Sequence, residues 1–412
     1  MALLLLRFTG RTILTQTVCV TKHFAIDSVS WSLIILSRIR FLFCLLRGYT
    51  ACQTRCSIRV IVSALVLICG LFFSSTRWIR FYVFFELSLI PIFFLILGWG
   101  YQRERLIASK ALFFYTFSSS MPLLLLILRV RKEGVNFIHQ IEDIRVSLGV
   151  TQLATIFFRG AFLVKLPIFF VHIWLPKAHV EAPVIGSIFL AAILLKIGGF
   201  GVLKVYALIS EPRIVLRLIL RFSAWRFIVI SLRCFQSSDI KVLIAFSSVR
   251  HIAVILVLLV AGRESSVNGA LMIILGHGIS SSMMFYLSYL VYLSSSTRSL
   301  ILNKSVKLKG GLINFIWCLA CLGILGGPPT SNLWFEVNAF FLLCLSMPSL
   351  IKLLFWAGLL TGVYSLICLR SVYSGNSLRY QINLKPSPAL DSLVRRMHLI
   401  ILLRLVTLSF SL

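Results

Sequence analysis

Three ionisable side chains lie where a membrane helix would have to bury them. Glu86 sits inside "FYVFFELSLIPIFFLILGWG", just before Pro91; Lys165 inside "GAFLVKLPIFFVHIWLP"; Lys196 inside "SIFLAAILLKIGGFGVL". An ionised group at the centre of a membrane helix costs about 2.5–3.5 kcal/mol on insertion scales, so it faces protein or water rather than lipid. Burial disfavours the charged form of an acid or a base, and an opposite charge nearby restores it. A lysine that changes its distance from a glutamate therefore takes up or releases a proton. Glu336 in "PPTSNLWFEVNAFF" is a second acid of this kind. His251 in "SSVRHIAVIL" and His277 in "ILGHGISSSMMF" are of the residue type suited to proton relay. Lys241, at the start of "KVLIAFSS", is a further candidate close to a helix end. Each has a plainer reading: a protonated glutamate bonded to a neighbouring helix, a lysine snorkelling to the interface, a packing histidine. The residues alone leave both open. Snorkelling suits Lys165 least, because apolar residues flank it and Pro167 follows.

The elements that must hold these groups are helices. The chain has 412 residues, 59% hydrophobic and 13% charged, more apolar surface than a soluble fold could bury. Apolar stretches of about 20 residues, the length needed to cross roughly 30 Å of hydrocarbon, recur along it. Runs such as "IRVIVSALVLICGLFF" do not alternate as barrel strands must, so the spans are α-helical. They are predicted at 29–48, 58–75, 79–99, 107–130, 150–173, 184–209, 214–235, 240–262, 267–293, 311–345 and 348–372, with weaker ones at 397–411 and 2–20. The fold class is thus an all-α polytopic membrane protein of about twelve transmembrane helices. Two spans are broken, one at Lys165-Leu166-Pro167 and one at Gly326-Gly327-Pro328-Pro329. Transporters place such breaks where unwound backbone faces a cavity, although proline kinks also occur in membrane helices of every kind.

The net charge of +29 would ordinarily suggest nucleic acid or anionic lipid. Here the basic residues form neither a tail nor a stripe, which argues against nucleic acid. The ten cysteines sit mostly in apolar runs. Cys318 and Cys321 make a CxxC and Cys52 and Cys56 a CxxxC, but no His or Cys at zinc-site spacing accompanies them. No metal site is predicted. There is no phosphate-binding glycine loop, dinucleotide fingerprint or nucleophile elbow. Residues 1–28 form a separate N-terminal segment, a worn helix or a targeting-like sequence, since Arg7, Arg11 and Lys22 precede the first acid.

The stretch "FVHIWLPKAHVEAPVIGSIFLAAILLKIGGFGVLK" (170–204) closely resembles the signature of the mitochondrial NADH–ubiquinone oxidoreductase chain 4 family, antiporter-like membrane subunits of respiratory complex I. "FYVFFELSLIP", "GYQRERLIASKALFFYTFSSSMPLL", "SSDIKVLIAFSSVRHIAVI", "GHGISSSMMFYLSYLVY" and "GGPPTSNLWFEV" extend the resemblance over about residues 25 to 375. It implies two inverted repeats, each with a broken helix, within a proton-translocating domain at 29–372, followed by a surface segment and C-terminal helix at 373–412. It also implies roles: Glu86 pairs with Lys165, Lys196 is the central relay, His251 and His277 continue the row, and Glu336 stands at the far side. In "WLPKAHVEAP", the residues Lys177, His179 and Glu181 are predicted in a loop, with no catalytic role required of them. The resemblance places the chain in the mitochondrial inner membrane, in the lipid bilayer beside other membrane-arm subunits. NADH, FMN, iron–sulfur clusters and ubiquinone would be used by partner subunits, none by this chain. Two rival functions remain open: a sodium/proton or other cation/proton antiporter using the same charges, and a non-conducting structural subunit.

One departure from the family pattern needs its own account. Arginine outnumbers lysine by more than two to one, and Arg159, Arg221, Arg226, Arg233, Arg250 and Arg370 fall in or at the ends of apolar spans. Arg250 stands in "SSVRH", where the family usually has serine. Either the lineage is rich in arginine, or these positions are AGA and AGG codons that many invertebrate mitochondria read as serine. Peptide mass spectrometry across residues 240–262 separates the two: the codon reading predicts serine at 250, and arginine found there overturns it.

Overall fold

Lipid offers no hydrogen bonds to the backbone, so each apolar run must satisfy its own amides and carbonyls. The computed structural model is built accordingly from helices. It describes residues 17–48 (save 22), 54–132, 138, 160–206 (save 168–170), 213–261, 264–303, 311–346 (save 328 and 329) and 351–373. A short antiparallel hairpin, β1 (Thr17–Thr21) with β2 (Phe24–Asp27), opens the chain. There follow α1 (Ser28–Gly48), α2 (Thr54–Ser74), α3 (Trp78–Leu87), α4 (Leu89–Trp99) and α5 (Arg105–Lys132). A helical turn over 160–165 leads to α6 (Trp174–Glu181) and α7 (Val184–Phe189). A π-helical stretch (Leu190–Leu194) then joins α7 to α8 (Leu195–Tyr206). The second half contains α9 (Arg213–Gln236), α10 (Ile240–Ala261), α11 (Glu264–Ser295), α12 (Gly311–Leu325), α13 (Ser331–Ser346) and α14 (Ile351–Tyr373).

Among the described residues, seven helical segments are long and apolar enough to cross a membrane: α1, α2, α3 with α4, α5, α7 through α8, α10 and α11. Shorter apolar helical stretches lie within α12 and α14. The predicted spans that fall on described residues coincide with helices to within a few residues, although the one predicted at 214–235, which forms α9, is not among the seven. The span at 311–345 divides into α12 and α13, as the glycines and prolines predict. The spans at 2–20, 150–173 and 397–411 fall wholly or largely outside the described residues, as does the surface segment at 373–396. Residues 17–21, at the end of the 2–20 stretch, are strand rather than helix. Each of these two strands pairs with its partner across a tight turn, and Asp27 holds the hairpin to α8 through an ion pair with Lys204.

The segment from α7 to α8 and the helices α10 and α11 form the centre of the bundle, with nearly all of their side chains buried. By contrast α2 and α5 expose apolar faces, including Val60, Leu67, Ile107, Phe114 and Leu125, to the surroundings of the bundle. Apolar exposure of this extent belongs to surfaces that meet lipid or other membrane chains.

Three places of irregular backbone lie beside residues of the predicted row. After the 160–165 turn, the Leu166 amide still bonds Phe162 O at 2.9 Å, but Pro167 has no amide to continue the ladder. A side chain at Gly201 would collide with the Phe162 ring, so α8 presses against this turn at a glycine. The π-helical stretch lies just before Lys196; such wide turns inside α-helices leave backbone groups off their usual partners. Between α12 and α13 the chain turns at Gly326, whose φ is +70°. Here Gly327 N bonds Leu322 O at 2.9 Å, and the Asn332 amide donates to Gly323 O at 3.0 Å.

Gly326 combines left-handed backbone with a crowded neighbour, since an added Cβ would stand 2.8 Å from Glu336 Oε2. Gly326→Ala is therefore expected to destabilise the domain by about 1–2 kcal/mol through its backbone alone. It would also displace the Glu336 carboxylate. The melting temperature of the solubilised protein should fall, and an unchanged value would contradict this assignment.

Candidate functional site

The first pair of charges is built where α3 meets the turn over 160–165. Lys165 is 1% exposed; its ammonium donates to Phe85 O at 2.7 Å and lies 3.2 Å from the centre of the Phe85 ring. Glu86, the next residue on α3, is only half-buried. Lys165 is its charge partner, and Ser120 of α5 gives it a hydrogen bond. Its Oε1 is buried with no hydrogen-bond partner. Lys165 therefore rests on the backbone and ring of the residue beside Glu86, within electrostatic reach of the carboxylate but not in direct contact with it. The two groups share a neighbourhood, and the lysine is held by a dipole rather than a counter-ion.

Behind this pair lies the centre of the row. A Cβ at Gly198 would be 3.2 Å from the Lys165 Cβ, so the turn bearing Lys165 packs against α8 two residues from Lys196. The Lys196 ammonium curls back over the π-helical stretch and donates to Ala191 O at 2.7 Å. Its Cε faces Gly278, where a Cβ would be only 3.3 Å away. The buried Arg40 of α1, which reaches Gly278 O at 3.4 Å, is the charge nearest to it in effect. His277, adjacent to Gly278, has both ring nitrogens buried without hydrogen-bond partners and feels the charge of Lys196.

From there the row continues to α13. The rings of His277 and His251 are 5.1 Å apart between centres. His251 Nδ1 is 2.6 Å from Glu336 Oε1, and its Nε2 is 2.9 Å from Ile324 O. Arg250 enters the same knot: it donates to Ile324 O at 2.7 Å and lies 3.4 Å from Glu336 Oε2. Its NH2 is also 2.9 Å from His251 Nε2, so a positive charge stands beside that ring. All of these side chains are buried. Ile324 lies at the end of α12, before the Gly326 turn, so the helix break supplies the carbonyl that both residues use.

The structure thus brings Lys196, His277, His251 and Glu336 into one interior cluster, with Glu86 and Lys165 adjoining it. Lys241 is separate. Its ammonium donates to Ala182 O at 3.2 Å and Val180 O at 3.4 Å, and it faces the Tyr101 ring at 5.0 Å. It sits at one end of the bundle with Glu181 and Arg298. The motif "WLPKAHVEAP" forms a helix, α6, rather than a loop, and His179 and Glu181 in it are buried. The available signal was the proline at its third position, which a first helical turn tolerates. Of the arginines, Arg226 is buried and donates to Val249 O at 2.7 Å, whereas Arg221, Arg233 and Arg370 are exposed. Arg159 lies outside the described residues. Among the described residues, no group of three His, Cys, Asp or Glu could hold a metal ion.

Comparison with known proteins identifies the family. Residues 75–361 match the family model described as NADH:quinone oxidoreductase/Mrp antiporter, TM. The NADH-ubiquinone oxidoreductase chain 4 of Strongylocentrotus purpuratus is 34% identical over 406 residues, covering 94% of this chain and 86% of that protein. The chain 4 protein of Locusta migratoria is 39% identical, covering 75% of this chain and 69% of its own. That of Aedes aegypti is 42% identical over 62% of this chain, and the match spans 58% of the mosquito protein. Respiratory complex I from Thermus thermophilus with bound NADH contains a chain with TM-score 0.79 at 19% identity, covering 99% of this chain and 91% of that one. The membrane-bound sulfane sulfur reductase, an archaeal respiratory membrane complex, has one with TM-score 0.83 at 15% identity, covering 98% and 87%. At such identities these two matches speak for the fold. Taken with the breaks in its helices and its buried row of charges, the chain belongs to the NADH:quinone oxidoreductase/Mrp antiporter membrane family, among the NADH-ubiquinone oxidoreductase chain 4 proteins.

Proposed function

We propose that this chain is a proton-translocating membrane-arm subunit of NADH:ubiquinone oxidoreductase in the mitochondrial inner membrane. Protons move along the row Glu86, Lys165, Lys196, His277, His251 and Glu336, while partner subunits carry out the electron transfer that drives them. The observation that carries this reading is the continuity of the interior cluster: Lys196 beside Gly278, His277 facing His251 at 5.1 Å, and His251 against Glu336 at 2.6 Å. The Glu86–Lys165 pair acts as the switch. Lys165, its ammonium on Phe85 O, is held beside the residue next to Glu86, its charge partner. A field change that draws it to Glu86 favours the charged forms of both groups; its return releases charge to the next member. Lys241 lies off this row and serves the end of the bundle where Glu181 stands. The two helix breaks support the division into two repeats of opposite topology.

A non-conducting scaffold would gain nothing from a row of six ionisable groups, five of them buried, each costly in lipid. An antiporter would use the same groups and differs in its assembly, which co-purification with an NADH-oxidising complex decides.

The test uses the intact complex in sealed vesicles. Glu86→Gln and Lys165→Ala should each lower the number of protons pumped per NADH oxidised, with the complex still assembled. Undiminished pumping per electron in both variants would overturn the assignment.

A further inference from the structure

Two contacts from one residue hold the Lys165 ammonium: Phe85 O at 2.7 Å and the Phe85 ring, whose centre lies 3.2 Å away. The carbonyl would be present whatever stood at 85; the ring would not. An aromatic face attracts a cation through its quadrupole, and the attraction strengthens where water is excluded. Lys165 is 1% exposed and Phe85 is wholly buried, so the contact is made in such a place.

The ring is also fixed from behind. Phe162 meets it edge-on, with centres 5.1 Å apart and planes at 71°, and Phe72 lies tilted against it at 6.1 Å. Edge-on pairs are a favoured aromatic arrangement. Phe162 stands three residues before Lys165 on the same turn, and α8 backs it at Gly201, where a Cβ would be 2.1 Å from the Phe162 ring. The Phe85 ring therefore cannot swing away from the ammonium without disturbing the seat of the turn on α8. Packing accounts for the three rings, but not for the cation on the face of one of them.

A second seat for the ammonium stands one residue further along α3. Glu86 Oε1 is buried with no hydrogen-bond partner, and Lys165 is the charge partner of this carboxylate. Consecutive side chains on a helix point about 100° apart, so the ring and the carboxylate are distinct seats.

We infer that Phe85 is a positioning residue whose ring holds Lys165 off Glu86 and so sets the resting state of the switch. This rests on the reading of the Glu86–Lys165 pair given above and names what keeps that pair apart. Phe85 carries no proton; it acts through Lys165. A change of field draws the ammonium from the ring to the carboxylate. Without the ring the ammonium settles on Glu86 at rest, and the switch loses its stroke.

The test uses the intact complex in sealed vesicles and reads protons pumped per NADH oxidised. Phe85→Leu keeps an apolar side chain and the carbonyl but offers no ring face; pumping is expected to fall to the value found for Lys165→Ala while NADH oxidation continues. Phe85→Tyr keeps a ring face and is expected to pump as wild type. Phenylalanine analogues with rising numbers of ring fluorines, placed at 85, keep the ring in position while drawing electron density from its face. Pumping is expected to fall stepwise along that series, which also decides the matter should Phe85→Leu not assemble. Wild-type pumping throughout the fluorinated series, with Lys165→Ala impaired, would make Phe85 a packing residue and leave the row standing. Wild-type pumping in the fluorinated series and in Lys165→Ala alike would remove both readings.

Discussion

The constraint on which the rest depends is that a cation inside an apolar bundle must find an acceptor there. In this chain the acceptor is repeatedly a backbone carbonyl. Lys165 rests on Phe85 O, Lys196 on Ala191 O, Lys241 on Ala182 O, Arg226 on Val249 O and Arg250 on Ile324 O. Hydrogen bonds from charged groups contribute about 1.5–3 kcal/mol, enough to hold an ammonium in place. A carbonyl dipole carries no net charge, however, so it fixes the cation less firmly than a carboxylate would. Proton carriers need that balance.

Two of these carbonyls, those of Phe85 and Val249, lie within helices α3 and α10. Irregular places supply the other three. Ala191 belongs to the π-helical stretch, Ala182 joins α6 to α7, and Ile324 lies just ahead of the left-handed turn at Gly326. Broken backbone at membrane depth is tolerated where it is buried in protein, and here each break holds a charged side chain. Glu336 shows the same coupling from the other side: its carboxylate lies against Gly326, in space that any side chain at that position would take.

Arg250 makes the far end of the row different from the near end. Among the described residues Glu86 has no cation in direct contact, whereas Glu336 is flanked by both His251 and Arg250. With serine at 250, Glu336 would keep His251 and lose its permanent positive neighbour. In the row proposed above, the identity of this one residue thus sets whether the last acid is a fixed counter-ion or a free proton acceptor.

The sequence by itself determined where the helices run, because apolar length and the placement of Gly and Pro act locally. It also singled out the six residues proposed as the row, because an ionisable residue amid apolar ones stands out without any knowledge of neighbours. Partner choice was another matter. Lys165 and Phe85 are 80 positions apart, and His251 reaches Ile324 across 73. Which carbonyl a lysine meets depends on the faces that distant helices turn towards one another, and no local spacing encodes that. For the same reason Lys241 could be read as a possible relay, and His179 left in a loop. Only the packing of α6, with His179 stacked on Phe285 of α11, showed that the first stands at the end of the bundle and the second in its interior.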